Sequence, residues 1–521
     1  MTALHNGAET LVETLSTSGI DVCFTNPGTS EMHLVAALDR LDGPRCVLGL
    51  FEGVVTGAAD GYARMTGRPA ATLLHCGPGL TNGLANIHNA RKAGSAMVNL
   101  IGDHATWHVE HNAPLTADVV GLATPLSDWV KLTPDATSLA ADAADCVAAA
   151  RACNGKIASL VVPGNAAWDP AEAAAARVEP EPALTVEAER IDAAARRLQN
   201  GKRTALLVGG ACLHAEPLAL AGAIAHHCNA RLLSPSSNAR TARGRGRTPI
   251  QPVPYPVDQA LALLADIEQV VLVCAAAPVG FFAYPNTPSS MLPPDCEVVV
   301  LAGVDADGPA TLQALALALG VGPAPQQASS DALSLPQDAA LTPTLVNALV
   351  ACRLPEQAVL IDEAITGGRD LLQFTPRAAP HDHLQIVGGS IGAGPPLATG
   401  AAIACPARQV IALQADGSAM YTLQALWTQA REQLNVVTIV YANRAYRILQ
   451  HELRNVGAQQ GDQIGDVARA MMRLDNPTLD FVQLASGMGV PATRVDSVTG
   501  LDRALTGALS TPGPTLIEAV L

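Results

Sequence analysis

Apolar runs alternate with stretches of helical period along the whole chain. Residues 7–20 and 53–65 carry the spacing of amphipathic helices. Around them lie runs rich in Val, Ile and Leu that predict buried strands, at residues 21–28, 70–79, 97–104 and 157–165. This alternation predicts α/β units in which helical crossovers join parallel strands. Ligands of such units gather beyond the carboxyl ends of the strands.

Two proline-rich segments without periodicity interrupt the pattern, at residues 178–184 and 322–340. We interpret them as linkers. They divide the chain into three predicted domains, 1–178, 185–320 and 341–521, each a doubly wound parallel sheet. The first and third domains look like similar units. An arginine-rich run at 239–247 is expected to be a solvated loop.

Composition excludes some classes of protein. Hydrophobic residues make up 49% of the 521 residues and charged residues 15%, so a generally disordered chain is excluded. Acidic residues number 47 against 32 basic ones, which gives a net charge of −15. Because nucleic-acid-binding surfaces are basic, we expect no nucleic-acid partner.

The sequence predicts neither a membrane partner nor export. The longest apolar run, 270–284, is broken by Pro278 and Gly280 and is shorter than the ~20 residues that span a bilayer. The first 20 residues lack a basic start and do not resemble a signal peptide. The 11 cysteines show no zinc-site spacing, which favours free thiols in a reducing cytoplasm.

The most informative stretch lies in the last third of the chain. Asp416 follows one apolar run, and Asn443 ends the next. One βαβ unit would bring both side-chain oxygens to the same sheet edge, where they would suit Mg²⁺. Gly417 permits close backbone approach, and Ser418 can cap a helix whose N-terminus attracts phosphate. An ordinary Asp-Gly turn with an unrelated asparagine explains the spacing equally well.

The same stretch resembles the cofactor motif of the thiamin diphosphate (ThDP) enzymes related to acetolactate synthase, benzoylformate decarboxylase and pyruvate decarboxylase. That motif runs from Gly-Asp-Gly to Asn-Asn, and here it reads Ala-Asp-Gly at 415–417 and Ala-Asn at 442–443. Neither altered position supplies a side-chain ligand in the family. The resemblance implies that Mg²⁺ is held by Asp416, Asn443 and the main-chain carbonyl of Ala445.

The resemblance extends over the whole chain and implies a role for each domain. Domain 1–178 would bind the pyrimidine, 341–521 the diphosphate and Mg²⁺, and 185–320 would lie between them. Residues 388–413 resemble the segment that precedes the motif. By that match Ile391 is the wedge that bends the cofactor, and the Gly389 carbonyl accepts a hydrogen bond from its 4′-amino group. A single Gly pair in the middle domain is a weak nucleotide signal, so FAD is not expected.

Glu52 lies at the end of an apolar run, where a carboxyl group requires a partner. A favourable position at a helix N-terminus would explain it. However, residues 50–70 resemble the family's Glu…Ala-Asp-Gly-Tyr-Ala-Arg signature. The resemblance implies that Glu52 hydrogen-bonds N1′ of the aminopyrimidine and so promotes removal of the thiazolium C2 proton. In the family this Glu and the metal-binding Asp come from different subunits, so a homodimer or a dimer of dimers is expected.

Two further residues are candidates for contact with substrate. Residues 24–33 resemble the Asn-Pro-Gly-Ser loop of benzoylformate decarboxylase, with Thr29 at the serine position. His75 falls where that enzyme has an active-site histidine, although the Gly-Pro-Gly that follows resembles acetolactate synthases. Near the enzyme's second histidine this chain offers only Phe281 or Phe282, for which plain packing is the stronger explanation.

The resemblance implies an enzyme that decarboxylates 2-oxo acids through an enamine on ThDP. Protonation of the enamine would release an aldehyde, whereas attack on a second carbonyl would give an acetolactate-like product. Two alternatives stay open: a catalytically silent ThDP-binding paralogue, and an enzyme similar to 2-hydroxyacyl-CoA lyases. Retention of Glu52, Asp416 and Asn443 speaks against the first, and the lack of a suitable basic cluster speaks against the second.

Overall fold

The computed structural model describes residues 5–322, 335–336, 339–458 and 464–521. Three sheets of six, five and seven strands dominate these residues, and nearly all of their strand pairs are parallel. The expected α/β architecture of three parallel-sheet units is therefore confirmed. The predicted linker at 322–340 lies mostly outside the described residues, and the domain boundaries stay a prediction.

The first sheet occupies the N-terminal third of the chain. In order across the sheet its strands are Arg45–Leu48, Val22–Thr25, Ala70–His75, Met97–Asp103, Ile157–Pro163 and Trp129–Leu132. A short antiparallel pair, His5–Asn6 with Pro170–Ala171, lies beside it. The α-helices of this unit are Gly7–Thr17, Met32–Arg40, Glu52–Thr66, Cys76–Ala93, Val119–Ala123, Ala136–Arg151 and Gly164–Trp168. They form two apolar cores with the sheet.

The middle sheet is fully parallel. Across the sheet its strands are Gln251–Pro252, Arg231–Ser234, Thr204–Val208, Gln269–Val273 and Glu297–Ala302. Its α-helices are Ala188–Leu198, Ala215–His227, Val257–Leu264 and Gly308–Leu319. These elements also enclose two apolar cores, as expected for a doubly wound unit.

The third sheet has the strand order Thr241–Arg243, His381–Gln385, Val359–Glu363, Val410–Ala415, Val436–Ala442, Thr515–Val520 and Ala492–Val495. Its α-helices are Pro343–Arg353, Leu371–Phe374, Gly394–Ala404, Asp416–Ala419, Ala425–Arg431, Arg447–Asn455, Asp466–Met472, Phe481–Gly487 and Val498–Leu509. Its first strand is antiparallel to the second. That first strand comes from the segment predicted to belong to the middle domain.

The expectation of a solvated loop at 239–247 is wrong. Residues 241–243 form the edge strand of the third sheet, and the Arg243 side chain is buried. Arg240 binds Asp382 on the neighbouring strand with two hydrogen bonds, of 3.0 and 3.1 Å. Arg240 is held at this edge because Asp382, distant in sequence, supplies an acidic partner on the neighbouring strand.

The first and third sheets share one apolar core. Helix Gly394–Ala404 packs closely on helix Glu52–Thr66, and apolar residues of both sheets surround the pair. Gly400 permits this approach, since a Cβ atom there would overlap the carbonyl oxygen of Ala58. The packing fixes the two sheets, and the loops at their edges, relative to each other. No helix among the described residues is long and apolar enough to cross a membrane.

Candidate active site

Asp416 and Asn443 lie at the carboxyl ends of two neighbouring strands of the third sheet. The strands Val410–Ala415 and Val436–Ala442 pair in parallel, with Ala415 opposite Tyr441. Asp416 begins the next short helix, and Asn443 follows its strand directly. The structure therefore brings the two predicted metal ligands to the same sheet edge, as the βαβ argument requires.

Asp416 is a buried carboxylate held by main-chain amides. It is 3% exposed; its Oδ1 accepts from the Gly417 N–H at 2.8 Å, and its Oδ2 accepts from the Arg444 N–H at 2.5 Å. Burial raises the pKa of Asp416, and these amide donors oppose that shift. The amide oxygen of Asn443 accepts from the Ala445 N–H at 2.9 Å. A carboxylate, an amide oxygen and a neighbouring main-chain carbonyl form a hard-oxygen set that fits Mg²⁺.

Gly417 and Ser418 complete this turn. A Cβ atom on Gly417 would overlap the ring of Tyr446, so only glycine allows this close approach. The Ser418 hydroxyl is buried, donates to the Ala415 carbonyl at 3.2 Å and accepts from Gln414 Nε2 at 2.5 Å. Gln414, on the strand that precedes the turn, thus holds the turn in place.

Residues 388–393 form a loop, directly before helix Gly394–Ala404, that is hydrogen-bonded to the first unit. Asn89, on helix Cys76–Ala93, makes two hydrogen bonds with the main chain of Ser390. Its side-chain amide donates to the Ser390 carbonyl at 2.7 Å and accepts from the Ser390 N–H at 3.1 Å. His88 Nε2 lies 3.0 Å from the Gly388 carbonyl oxygen. Gly389 has φ +80°, and Ile391 is half-buried. The two residues predicted to contact the cofactor therefore lie on a segment that hydrogen bonds attach to helix Cys76–Ala93.

An aromatic cluster from the middle unit covers this loop. A Cβ atom on Gly389 would lie 2.9 Å from the Phe281 ring. The centroid of the Phe281 ring lies 4.9 Å from that of Phe282, in an edge-to-face contact, and 5.4 Å from that of the tilted Tyr255 ring. Phe281 and Phe282 remain 52% and 59% exposed. The structure thus places the predicted pair beside the candidate site, where the two rings present an apolar surface.

Glu52 is the first residue of helix Glu52–Thr66, in the first unit. Its side chain is nearly buried, and its Oε2 accepts a 3.0 Å hydrogen bond from Asn82 Nδ2. The helix N-terminus favours a negative charge at this position, which explains in part why a carboxylate is tolerated. A carboxylate that accepts one side-chain hydrogen bond keeps lone pairs free for a further donor.

His75 ends strand Ala70–His75 and contacts a cluster that sequence reasoning missed. Its Nδ1 lies 2.9 Å from Glu31 Oε2 and 3.0 Å from Ser30 Oγ, and Ser30 donates to Glu31 at 2.6 Å. Glu31 is 1% exposed and also accepts from the Gly28 N–H at 2.7 Å. An N–H at His75 Nδ1 would donate to this carboxylate, because carboxylate oxygens accept hydrogen bonds. Burial raises the pKa of the neighbouring Cys76 to about 11.

Thr29, the predicted substrate contact, begins the short turn Thr29–Glu31 and is exposed. The adjacent Ser30, not Thr29, makes the contact with His75. Only the Asn-Pro-Gly turn signal at 26–28 marks this loop in the sequence, and no local pattern shows that Glu31 folds back beneath His75. Asn82 was missed for the same reason, since its partner Glu52 lies 30 residues away in the chain.

The fold and these two groups of residues define a class of protein. Parallel-sheet units with a carboxylate at the edge of one and an Asp–Asn pair at the edge of another are the arrangement of enzymes that use ThDP. The chain belongs to the thiamine pyrophosphate enzyme family. Residues 5–122 match the N-terminal TPP binding domain of these enzymes, and residues 369–519 match the C-terminal TPP binding domain. Thiamine pyrophosphate and ThDP are the same cofactor.

Individual relatives support the same class. The chain is 44% identical over 527 residues, and 99% of both chains, to "Putative acetolactate synthase large subunit IlvX" of Mycobacterium tuberculosis. It is 28% identical over 534 residues, and 97% of both chains, to benzoylformate decarboxylase of Pseudomonas aeruginosa. The solved structure of a ThDP-dependent 4-hydroxybenzoylformate decarboxylase from Rhodococcus jostii RHA1 covers 99% of both chains, with a TM-score of 0.85 and 26% identity. The predicted family and the prediction of a ThDP-dependent enzyme are confirmed, and the roles of single residues stay predictions.

Proposed function

We propose that this chain is a ThDP- and Mg²⁺-dependent enzyme that decarboxylates 2-oxo acids. One observation carries the proposal: Glu52 lies within the matched N-terminal TPP binding domain, and the Asp416–Asn443 pair lies at one sheet edge within the matched C-terminal TPP binding domain. A chain that had lost any of these side chains would instead fit a catalytically silent paralogue.

The third unit would hold the charged end of the cofactor. Asp416, the Asn443 amide oxygen and the Ala445 carbonyl would bind Mg²⁺, which would in turn bind the diphosphate. The main chain at Gly417 and the Ser418 hydroxyl would face the diphosphate from the same turn. The Gly389 carbonyl would accept from the 4′-amino group, and Ile391 would support the bent cofactor.

ThDP supplies a nucleophilic carbon that adds to the substrate carbonyl and accepts the electron pair released when CO₂ leaves. Glu52 would share a proton with N1′ of the aminopyrimidine, a role that its single side-chain partner, Asn82, leaves free. His75 would transfer protons to and from the substrate through Nε2, with Nδ1 donating to Glu31, which lies 2.9 Å away. Ser30 holds that pair in place, and Thr29 would contact the substrate from the same turn.

Two outcomes of the reaction are each supported by a different observation. The 44% identical relative carries the name "Putative acetolactate synthase large subunit IlvX", which favours carboligation. The His75–Glu31 pair, together with the decarboxylase that shares this fold, favours release of an aldehyde. The aromatic surface of Phe281 and Phe282 beside Gly389 would receive the acid's side chain in either case.

We also propose that the working unit is a homodimer or a dimer of dimers, with Glu52 and Asp416 of one site supplied by different subunits. Domains 1–178, 185–320 and 341–521 would serve as pyrimidine-binding, central and diphosphate-binding domains. We propose a cytoplasmic location, which fits the 11 free thiols. We further propose that the central domain binds no FAD.

Product analysis tests the proposal. Protein with ThDP and Mg²⁺ would receive pyruvate, benzoylformate and branched 2-oxo acids separately, with CO₂ and organic products followed by mass spectrometry. An aldehyde would support decarboxylation with proton transfer by His75, and acetolactate from pyruvate would support carboligation. CO₂ release from none of these acids would contradict the proposal for these substrates.

A further inference from the structure

Glu363 is a buried carboxylate that none of the roles above includes. It ends strand Val359–Glu363 of the third sheet and is 1% exposed. Its Oε1 accepts from the Gly392 N–H at 2.6 Å and the Ala393 N–H at 3.3 Å, and its Oε2 accepts from the Gly394 N–H at 2.6 Å. One side chain thus binds three successive amides, directly after the segment that contains Gly389 and Ile391.

A second group of contacts leads from Glu363 to the turn at 416–418, which contains the predicted metal ligand Asp416. Gln414, fully buried on the next strand, donates through Nε2 to Glu363 Oε2 at 3.0 Å and to Ser418 Oγ at 2.5 Å. Ser418 lies two residues after Asp416, in the same short helix. Glu363 and Gln414 therefore connect the 388–393 loop with the 416–418 turn through three hydrogen-bonded side chains.

This connection has little room to relax. Gly392 has φ +92°, and a Cβ atom on Gly394 would overlap the Gln414 amide oxygen and lie 2.9 Å from Glu363 Oε2. Four N–H groups converge on the carboxylate, which accepts all of them only because both of its oxygens are acceptors. Each oxygen accepts two of these N–H groups, so an amide in place of the carboxylate would turn its NH₂ toward two of them and leave them without an acceptor.

We propose that Glu363 is a positioning residue that sets the distance between the two loops that bind opposite ends of ThDP. The proposal rests on the proposed function, because those loops are cofactor loops only if Gly389, Ile391, Asp416 and Ser418 act as stated. Glu363 itself would touch neither cofactor nor substrate. Its effect would pass through the Gly392–Gly394 amides on one side and through Gln414 on the other.

The test is Glu363→Gln, which keeps the size of the side chain. We expect the dissociation constant for ThDP with Mg²⁺, measured by equilibrium dialysis, to rise roughly tenfold, as for loss of one charge-assisted hydrogen bond. We also expect kcat to fall, and the near-ultraviolet circular dichroism of bound ThDP to change, because the cofactor would be held in an altered shape. The melting temperature of the cofactor-free protein reports separately on folding.

A second variant keeps the test informative if Glu363→Gln does not fold. Gln414→Leu removes the link to Ser418 but leaves the three amides bound to Glu363, and it should weaken ThDP binding in the same direction. The matched control is Asp307→Asn. Asp307 also accepts from a helix N-terminal amide, Ala310 N–H at 2.9 Å, but lies in the middle unit. ThDP affinity should not change in this control.

Two results would overturn the role of Glu363. One is unchanged ThDP affinity, kcat and dichroism in folded Glu363→Gln and Gln414→Leu. The other is a lower melting temperature of the cofactor-free variants with ThDP affinity intact, which would make Glu363 a helix cap only. Failure of the wild-type protein to bind ThDP is a separate result, and it would contradict the proposed function.

Discussion

Glu52 is the residue on which the proposed chemistry depends most. We expect Glu52→Gln to bind ThDP with little loss of affinity but to slow turnover by about 100-fold or more, since it removes a positioned acid–base group. Exchange of the cofactor's C2 proton, followed by NMR, measures the affected step directly. The control is Glu432→Gln, an acidic residue in an ion pair with Arg45. Near-normal exchange in Glu52→Gln would show that Glu52 does not have this role.

His381 gives a prediction about stability rather than activity. Its ring is 2% exposed and Nδ1 donates to the Ala379 carbonyl, while Nε2 has no hydrogen-bond partner among the described residues. Burial lowers the pKa of His381 to about 4, below the ~6.5 of an unfolded chain. The unfolded state therefore binds more protons between these values. The free energy of unfolding should fall by about 3 kcal/mol as the pH drops from 6.5 to 4.

Denaturant unfolding at several pH values checks this difference. His381→Gln should lose part of the pH dependence between pH 4 and 6.5, whereas His111→Gln, at an exposed position, should not. Equal pH dependence of the wild-type protein and His381→Gln would contradict the prediction.

At the scale of elements, the parallel strands were predictable and the edge strand was not. Strands Ala70–His75, Met97–Asp103 and Ile157–Pro163 lie within the predicted runs because strands covered on both faces are apolar throughout. Strand Thr241–Arg243 is short and lies at an edge, and its partner lies about 140 residues further along the chain. Its residues carry no apolar signal from which pairing could be inferred.

The residues of the candidate site likewise divide into those that could be predicted from the sequence and those that could not. Asp416, Asn443 and Glu52 could be located because each stands at the end of an apolar run, and the family resemblance gave them roles. Glu31 and Glu363 could not be located, because their importance depends on partners elsewhere: His75 lies 44 residues after Glu31, and the amides bound to Glu363 lie 29 to 31 residues after it. The role of a buried carboxylate of this kind can be recognised only from the folded structure, which shows the groups that it binds.

The turn at 28–31 carries a prediction at this scale. A Cβ atom on Gly28 would overlap the His75 ring, so Gly28→Ala should displace the ring from Glu31 and Ser30. Turnover should fall by at least about tenfold, because proton transfer depends on this geometry. ThDP affinity, which this turn does not control, should stay unchanged.

The control for Gly28→Ala is Gly507→Ala. Gly507 lies in helix Val498–Leu509 with no atom within 4 Å of an added Cβ, so alanine should raise stability by about 0.5–1 kcal/mol and leave turnover unchanged. Equal turnover of Gly28→Ala and Gly507→Ala would contradict the role assigned to His75.

At the scale of the whole molecule, the proposed assembly predicts complementation between inactive variants. Glu52→Gln and Asp416→Asn should each be nearly inactive alone. If one site takes Glu52 and Asp416 from different subunits, a mixed dimer contains one intact site. Random mixing by joint refolding should then restore about a quarter of wild-type turnover, since half of the dimers are mixed and half of their sites are intact.

A second mixture provides the control. Asp416→Asn mixed with Asn443→Ala should restore nothing, because both residues belong to the same side of each site and every site in a mixed dimer stays defective. Recovery in this control, or none in the first mixture, would contradict a site shared between subunits.

The central claim is that this chain releases CO₂ from a 2-oxo acid with ThDP and Mg²⁺ held at Asp416. Its most direct test is the initial rate of CO₂ release from pyruvate, benzoylformate and branched 2-oxo acids, after chelation and with each cofactor restored separately or together. We expect a rate with at least one acid only when both cofactors are present, and almost none with Asp416→Asn. CO₂ release that persists without ThDP or Mg²⁺, or equal rates in Asp416→Asn and the wild-type protein, would contradict the account.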